Sequence, residues 1–202
     1  MIKHHAKSET LAAYAAGTLD AGRAMVVTEH LHRCAHCRSA VADFEAVGGA
    51  MLEAAEPVPM SPAAREAVLA RLEAARVAAP MRKTLKDYEL GPWRWIGPGL
   101  HLRAVHVPVE KDGARVFMLR GAPGTRLPQH KHDGTELTCI LSGAFQHEGG
   151  YYSAGDCDDA DEADLHSPVI APGEDCICVV AMQGNIVFQS RLGRLIQPFV
   201  RL

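Results

Sequence analysis

Nothing in the chain approaches the run of about 18 apolar residues that crosses a membrane as a helix. The opening residues Met1-Ile2-Lys3-His4-His5 lack the apolar core of a secretion signal, so the reading is a cytoplasmic protein. Basic residues form no block or stripe, and 21 Lys and Arg stand against 24 Asp and Glu, a formal net charge of −3. That leaves nucleic acid without an electrostatic footprint to bind to. Internal repeats and low-complexity segments are absent too. The six cysteines do not form a disulfide pattern. Cys34 and Cys37 sit beside His30, Cys139 and Cys157 stand alone, and Cys176-x-Cys178 lies in an apolar run. In a reducing compartment these are thiols that bind metal or pack in a core.

What is present is a 202-residue chain, 48% hydrophobic and 22% charged, long enough for one large domain or two small ones. The first 80 residues are rich in Ala and Glu and poor in aromatics, and read as helices. One covers Ser8 to Ala16, with Ser8 as N-cap and Gly17 at C′. A second runs from about Asp20 through Leu31, and a third from Cys34 to about Glu56, ending at the proline-rich stretch 57–62. Ser61-Pro62 reads as N-cap and N1 of a fourth, reaching about Val77 with Val68, Leu69 and Leu72 on one stripe. That helix is marginal alone and is expected to dock on something. Ala79-Pro80 and Arg82-Lys83 read as a linker, about 79–84. Beyond it, short apolar runs such as Leu137-Thr138-Cys139-Ile140-Leu141 and Ile177-Cys178-Val179-Val180 alternate with Gly and Pro, which argues for an all-β barrel or sandwich. The expected organisation is an all-α domain over 1–80 and an all-β domain over 81–202.

Two ligand patterns stand out. His30-x₃-Cys34-x₂-Cys37 offers two thiolates and an imidazole, a donor set suited to zinc. Its residues share a face if they lie on one helix; if the chain turns at Cys34, Cys37 opens the next helix and its thiolate gains from the positive helix end. Either arrangement lacks a fourth ligand, which His4 or His5 can supply. His32 and His36 fall off that face and read as solvent-facing. The second pattern is His130-x-His132-x₃-Glu136, framed by Gly124 and Gly143. On a strand, His130 and His132 point to the same side, and Glu136 lies across a turn from them. Imidazoles plus a carboxylate suit zinc, iron, manganese or nickel. The six acidic residues between Asp156 and Asp164 read as a solvated face, with a polar lid as the alternative. Cys176 and Cys178 share a strand face as packed core thiols, unless they face a lumen and take a redox role; Cys139 has the same two readings. His101, His106 and His147 receive no role.

The first pattern resembles the zinc-binding anti-sigma fold, in which an N-terminal histidine completes the set; the likeness favours His5. The resemblance thus implies a structural zinc at His5, His30, Cys34 and Cys37. Gly124-x₅-His130-x-His132-x₃-Glu136-x₆-Gly143 is similar to the first cupin motif, and Gly155 begins what looks like the second. His166 then stands where that motif places its histidine, which implies a cupin metal at His130, His132, Glu136 and His166. Asp161, Ala163 and Ile170 depart from the second motif. The pairing of the two halves resembles the ChrR family of anti-sigma factors, with further agreement in Ala12–Leu19, Glu174–Cys178 and Gln197-Pro198-Phe199. The resemblance implies an all-α helical head and an all-β cupin barrel. It implies that the head sequesters a group IV (ECF) sigma factor, and that the cupin is needed for release when singlet oxygen or organic peroxides appear. No catalytic residue, nucleic-acid contact or membrane attachment follows. The apolar face offered to the sigma factor is expected to include Leu11, Tyr14, Val26, Val27 and the fourth helix. The rival readings are a dioxygenase-like cupin enzyme with an accessory helical domain, and a metal-dependent DNA-binding regulator, which the net charge disfavours.

Overall fold

The computed structural model describes residues 1–75, 82–108 and 113–188. Four helices come first: α1 (Ser8–Ala15), α2 (Ala21–Leu31), α3 (Ala35–Ala54) and α4 (Pro62–Ala75). After a short 3-10 turn at Leu85–Asp87, the remaining elements are strands. The expected division into an α-helical region and a cupin-like β region is what the structure has.

Local chemistry explains the helix ends. Ser8 is not the N-cap of α1 as expected. Lys7 holds that position without a side-chain cap, and its own backbone N–H donates to Asp159 Oδ2 of the barrel at 2.9 Å. Gly17, at φ +70°, closes α1: its N–H donates to the Tyr14 carbonyl and that of Thr18 to Ala13, the paired bonds of a Schellman ending. Asp20 caps α2, accepting from Gly22 N and Arg23 N, while its other oxygen takes Arg23 Nε at 2.6 Å. Ser61 caps α4 through the Ala64 N–H. The Ala79-Pro80 part of the expected linker and the Gln197-Pro198-Phe199 stretch lie outside the described residues. Arg82, just beyond, lies over the Tyr14 ring at 4.1 Å and pairs with Glu45 at 2.7 Å.

The strands are β1 (Glu89–Leu90), β2 (Arg94–Gly97), β3 (Leu100–His106), β4 (Arg115–Gly121), β5 (His130–His132), β6 (Glu136–Ser142), β7 (Ala144–His147), β8 (Gly150–Ser153), β9 (Cys157–Ala160), β10 (Val169–Ile170), β11 (Cys176–Met182) and β12 (Ile186–Phe188). One wall of the barrel is the antiparallel sheet β1-β3-β4-β11-β6-β9, with β2 beside β3. The other is built from β10-β7-β8 and the β12-β5 pair, tied together through the His130–His166 and Arg126–Val169 bridges.

The period-two rule decides what each strand faces. In β11, Cys176, Cys178, Val180 and Met182 point into the lumen with Phe117, Ile140 and Phe145. Val179 and Ala181 point outward, but not to water. They meet Met25, Val26, Val27 and Leu31 of α2, together with Leu11 and Tyr14 of α1, in a second core. That is why β11 reads as an unbroken apolar run: both of its faces are covered. Val26 and Val27 have no exposed surface, and each such burial contributes on the order of 1.5–3 kcal/mol. The expectation that Leu11, Tyr14, Val26 and Val27 face a partner is therefore overturned; Val26 and Val27 are buried where α2 packs on the barrel, and Leu11 and Tyr14 are buried in the same core where α1 meets the other helices. What remains exposed is the second half of α3 (Val47, Met51, Leu52) and α4 (Val68, Leu69, Leu72). The expected docking of α4 has no counterpart among the described residues.

Candidate metal centres

The head site is assembled by a turn, not a continuous helix. α2 stops at Leu31; Cys34 becomes the N-cap of α3, its sulfur accepting the Cys37 N–H at 3.4 Å. Cys37 thus occupies the first turn of α3, where the helix end favours a thiolate. His5 folds back from the N-terminus, and its Nδ1 lies 3.2 Å from Cys34 Sγ and 3.4 Å from Cys37 Sγ. His30 Nε2 lies 3.2 Å from Cys37 Sγ. One donor atom from each of the four residues falls within 4.8 Å of the others. His4 is elsewhere, with its Nε2 on the Tyr151 carbonyl at 3.1 Å and its ring stacked on Tyr152. His32 and His36 are exposed.

The donor set fits a divalent cation on its own chemistry. His30 Nδ1 is 2.8 Å from the Gly155 carbonyl, which can only accept, so the proton sits on Nδ1 and the Nε2 lone pair faces the sulfurs. Burial and the neighbouring Cys34 push the Cys37 thiol up to about 12, so a cation would take the place of a proton there.

The barrel site is likewise built from few backbone pieces. β5 holds His130 and His132 on one side, and the backbones of His130 and His166 exchange hydrogen bonds of 3.0 and 3.1 Å. His166 Nε2 lies 2.9 Å from His130 Nε2 and 3.2 Å from His132 Nε2. All three rings are buried, and burial lowers the pKa of each, His166 to about 3. Three neutral imidazoles with converging Nε2 atoms present a set that a cation satisfies. His130 Nδ1 donates to the Pro128 carbonyl at 2.7 Å, fixing its tautomer. Glu136 Oε2 stands 3.6 Å from His132 Nε2, beside the three-histidine set. Burial raises the Glu136 pKa against the pull of His130. The set opens on an apolar cavity of about 1100 Å³ lined in part by Phe117, Phe145, Cys176 and Cys178.

Two residues the sequence reading passed over belong to this site. His147 Nε2 lies 2.9 Å from Asp158 Oδ2, and the His147 ring is 5.1 Å from that of His166. Because His147 Nδ1 accepts the Gly149 N–H, Nε2 carries the proton and donates to Asp158. Burial would raise Asp158, but the hydrogen bond from His147 holds it below the ordinary carboxylate range. A period-two reading of β9 is the signal that would have found Asp158.

The acidic run is a solvated face only at its far end, where Glu162 and Asp164 are exposed; its first half is drawn into the fold. Asp156 has no exposed surface and takes Lys3 N, His4 N, Ser153 N and Ser153 Oγ; Asp159 receives Lys7 N; Asp161 pairs with Lys7 Nζ at 2.7 Å. Cys139 and Cys157, directly opposite each other on β6 and β9, lie in the core beneath the helices, whereas Cys176 and Cys178 face the lumen.

Comparison with known proteins places both halves. A family described as ChrR cupin-like domain matches residues 81–185, and a zinc-finger family matches residues 8–38. The anti-sigma-E factor ChrR of Cereibacter sphaeroides is 37% identical over 215 aligned positions, covering 100% of this chain and 99% of that protein. The crystal structure of Rhodobacter sphaeroides SigE in complex with the anti-sigma ChrR contains a chain that superposes with a TM-score of 0.75 at 35% identity, covering 91% of this chain and 100% of that one. The kinship is with a regulatory protein rather than an enzyme, and among the described residues no helix is long and apolar enough to cross a membrane. Helical head, barrel and their order along the chain are shared from end to end, and the chain belongs to the ChrR family of anti-sigma factors.

Proposed function

We propose that this protein sequesters a group IV (ECF) sigma factor in the cytoplasm through its helical head, about residues 1–80, and releases it when the cupin barrel, residues 81–202, responds to an oxidant such as singlet oxygen or an organic peroxide. The observation that carries the reading is the end-to-end likeness to a protein crystallised with its sigma factor. The distribution of apolar surface supports it. Leu52 is 77% exposed and Met51 70%, and Leu69 and Leu72 on α4 are 51% and 59% exposed. Apolar side chains along two helices, bound to nothing else in the described chain, form a surface of the kind that marks a protein interface.

In this reading His5, His30, Cys34 and Cys37 hold a structural zinc, and His130, His132, Glu136 and His166 hold zinc, iron, manganese or nickel in the barrel. A zinc ion in the head supplies folding free energy, on the order of 10 kcal/mol or more, and the closed donor set leaves no place for a substrate. His5 joins the N-terminal segment to the α2–α3 turn, and the head keeps the shape that the sigma factor recognises. The barrel's apolar cavity admits a small molecule or oxidant to the edge of the histidine set. A change there must favour the unbound state by several kcal/mol to free a tightly held partner.

Co-expression with the candidate sigma factor tests both halves. Cys34→Ser or Cys37→Ser should abolish binding by unfolding the head, and His132→Ala should leave binding intact while impairing release. Tight binding by the cysteine variants, or normal release by His132→Ala, would contradict the respective role.

A further inference from the structure

The two donor sets are joined by a short stretch of chain whose neighbours alternate between them. Gly155 gives its carbonyl to His30 Nδ1 at 2.8 Å. Asp156, next in line, takes the backbone N–H groups of Lys3 and His4 at 2.7 and 3.0 Å and so fixes the residues just ahead of His5. Cys157 donates its N–H to the His4 carbonyl at 3.1 Å. Asp158 then turns into the barrel and accepts from His147, whose ring lies against that of His166. A column of stacked rings runs parallel to this strand: His4 on Tyr152 at 4.0 Å, and Tyr152 on His147 at 4.7 Å, with interplanar angles of 23° and 22°. From His5 to His166 there is thus an unbroken series of covalent, hydrogen-bonded and stacked neighbours, all packed within the fold.

We infer that Tyr152, with His147 and Asp158, is a positioning residue that couples the barrel histidine set to the thiolate set: an ordered His166 holds His147, His147 holds Tyr152, and Tyr152 holds His4 and so places His5. The inference rests on the reading that both sets bind metal. Packed side chains and backbone bonds carry coupling of this kind when each contact constrains the next. By linkage, filling one site must strengthen the other by the same factor. Tyr152 is the ring of the column that stands between His4 at the head and His147 at the barrel, beside the backbone route through residues 156–158.

The test uses the full-length chain loaded with Co²⁺. The Co²⁺–thiolate absorption band reports the Cys34/Cys37 site alone, since the barrel set has no sulfur donor. The rate at which a chelator removes that band is measured in the wild type, His132→Ala, Tyr152→Leu and the double variant, with barrel occupancy followed by metal analysis. His132→Ala is expected to accelerate loss at least about fivefold. Tyr152→Leu should do the same, and the double variant should be no faster than either single one. Tyr152→Phe, which keeps the stacked ring and loses only the hydroxyl's contact with Asp158, should stay nearer the wild-type rate than Tyr152→Leu. Hydrogen exchange at residues 3–6 of the metal-free protein should rise in Tyr152→Leu and not in Tyr152→Phe. Equal rates in wild type and His132→Ala would overturn the coupling, and an undiminished His132→Ala effect in the Tyr152→Leu background would overturn the positioning role of Tyr152. No thiolate band in the wild type would instead overturn the head-metal reading, and the inference with it.

Discussion

Asp156 shows how much one side chain organises here. It has no exposed surface, and four donors from Lys3, His4 and Ser153 converge on its two oxygens. Burial alone would raise its pKa; the backbone N–H groups outweigh that and hold it below the ordinary carboxylate range. Asp156→Asn turns one acceptor oxygen into an amide that faces donors. It should cost about 2–3 kcal/mol in urea denaturation, the scale of a charged hydrogen bond lost in a buried site. The variant should also bind head metal more weakly, because His5 directly follows the two residues that Asp156 clamps. An unchanged denaturation midpoint would show that the bonds to residues 3–4 carry no weight.

Protonation acts at the same scale. His5, His30, His130, His132 and His166 all sit below the ordinary imidazole value, in each case through burial first. In the folded, metal-free chain these imidazoles therefore stay neutral at a pH where those of the unfolded chain take up protons. Stability is full above about pH 6.5, the unfolded imidazole value, and declines as the pH falls below it. For His166 the decline extends to about 3. Asp20 adds to the loss below about pH 4, since Arg23 and backbone N–H groups depress its carboxyl despite its burial. Melting temperatures of the chelator-treated protein should fall steadily from about pH 7 to pH 4, and a flat profile would contradict this electrostatic account.

At the scale of elements, α2 does not take the partner-facing role its sequence suggested, whereas α4, which the sequence placed on that same face, stays exposed. Val26 and Val27 read as part of a partner-facing surface because a two-sided apolar helix carries no mark of what covers its second face. The barrel covers it. The α4 stripe of Val68, Leu69 and Leu72 has the spacing of a docked helix, yet stays exposed. Leu69→Glu or Leu72→Glu should thus leave stability within about 0.5 kcal/mol, as exposed substitutions do. The same changes should weaken sigma-factor binding at least about tenfold, as anchor residues at an interface do. Calorimetry beside a binding titration separates the two effects. By contrast, Asp20→Ala removes the α2 cap and the carboxylate that also accepts from Ala114 N; it should cost about 1–2 kcal/mol of stability. The clustering of the donor groups was legible where it is local: His30, Cys34 and Cys37 fall within eight residues, and His130 to Glu136 within seven. Asp158 and His147 were not, since their meeting depends on β9 and β7, strands of different sheets, being brought together by the closed barrel. The acidic run misled for the same reason. Charge density in one dimension says nothing of the four backbone and hydroxyl donors that wait for Asp156 in three.

For the whole molecule, the consequence is that head and barrel share a core. Met25, Val26, Val27 and Leu31 bury against Leu137, Cys139, Val179 and Ala181, so the barrel's outer wall is part of what stabilises the helices. A head fragment alone would expose that face and should melt at a lower temperature than the head within the full chain. The central claim is that the metallated head captures a transcription initiation factor and keeps it from RNA polymerase. Its most direct measurement is a titration of the purified, zinc-loaded full-length chain into the cognate group IV sigma factor in the presence of core polymerase. The account predicts an equimolar complex that retains zinc and is depleted from polymerase, and loss of that complex in Cys37→Ser. A correctly metallated chain that leaves the sigma factor on polymerase would contradict it.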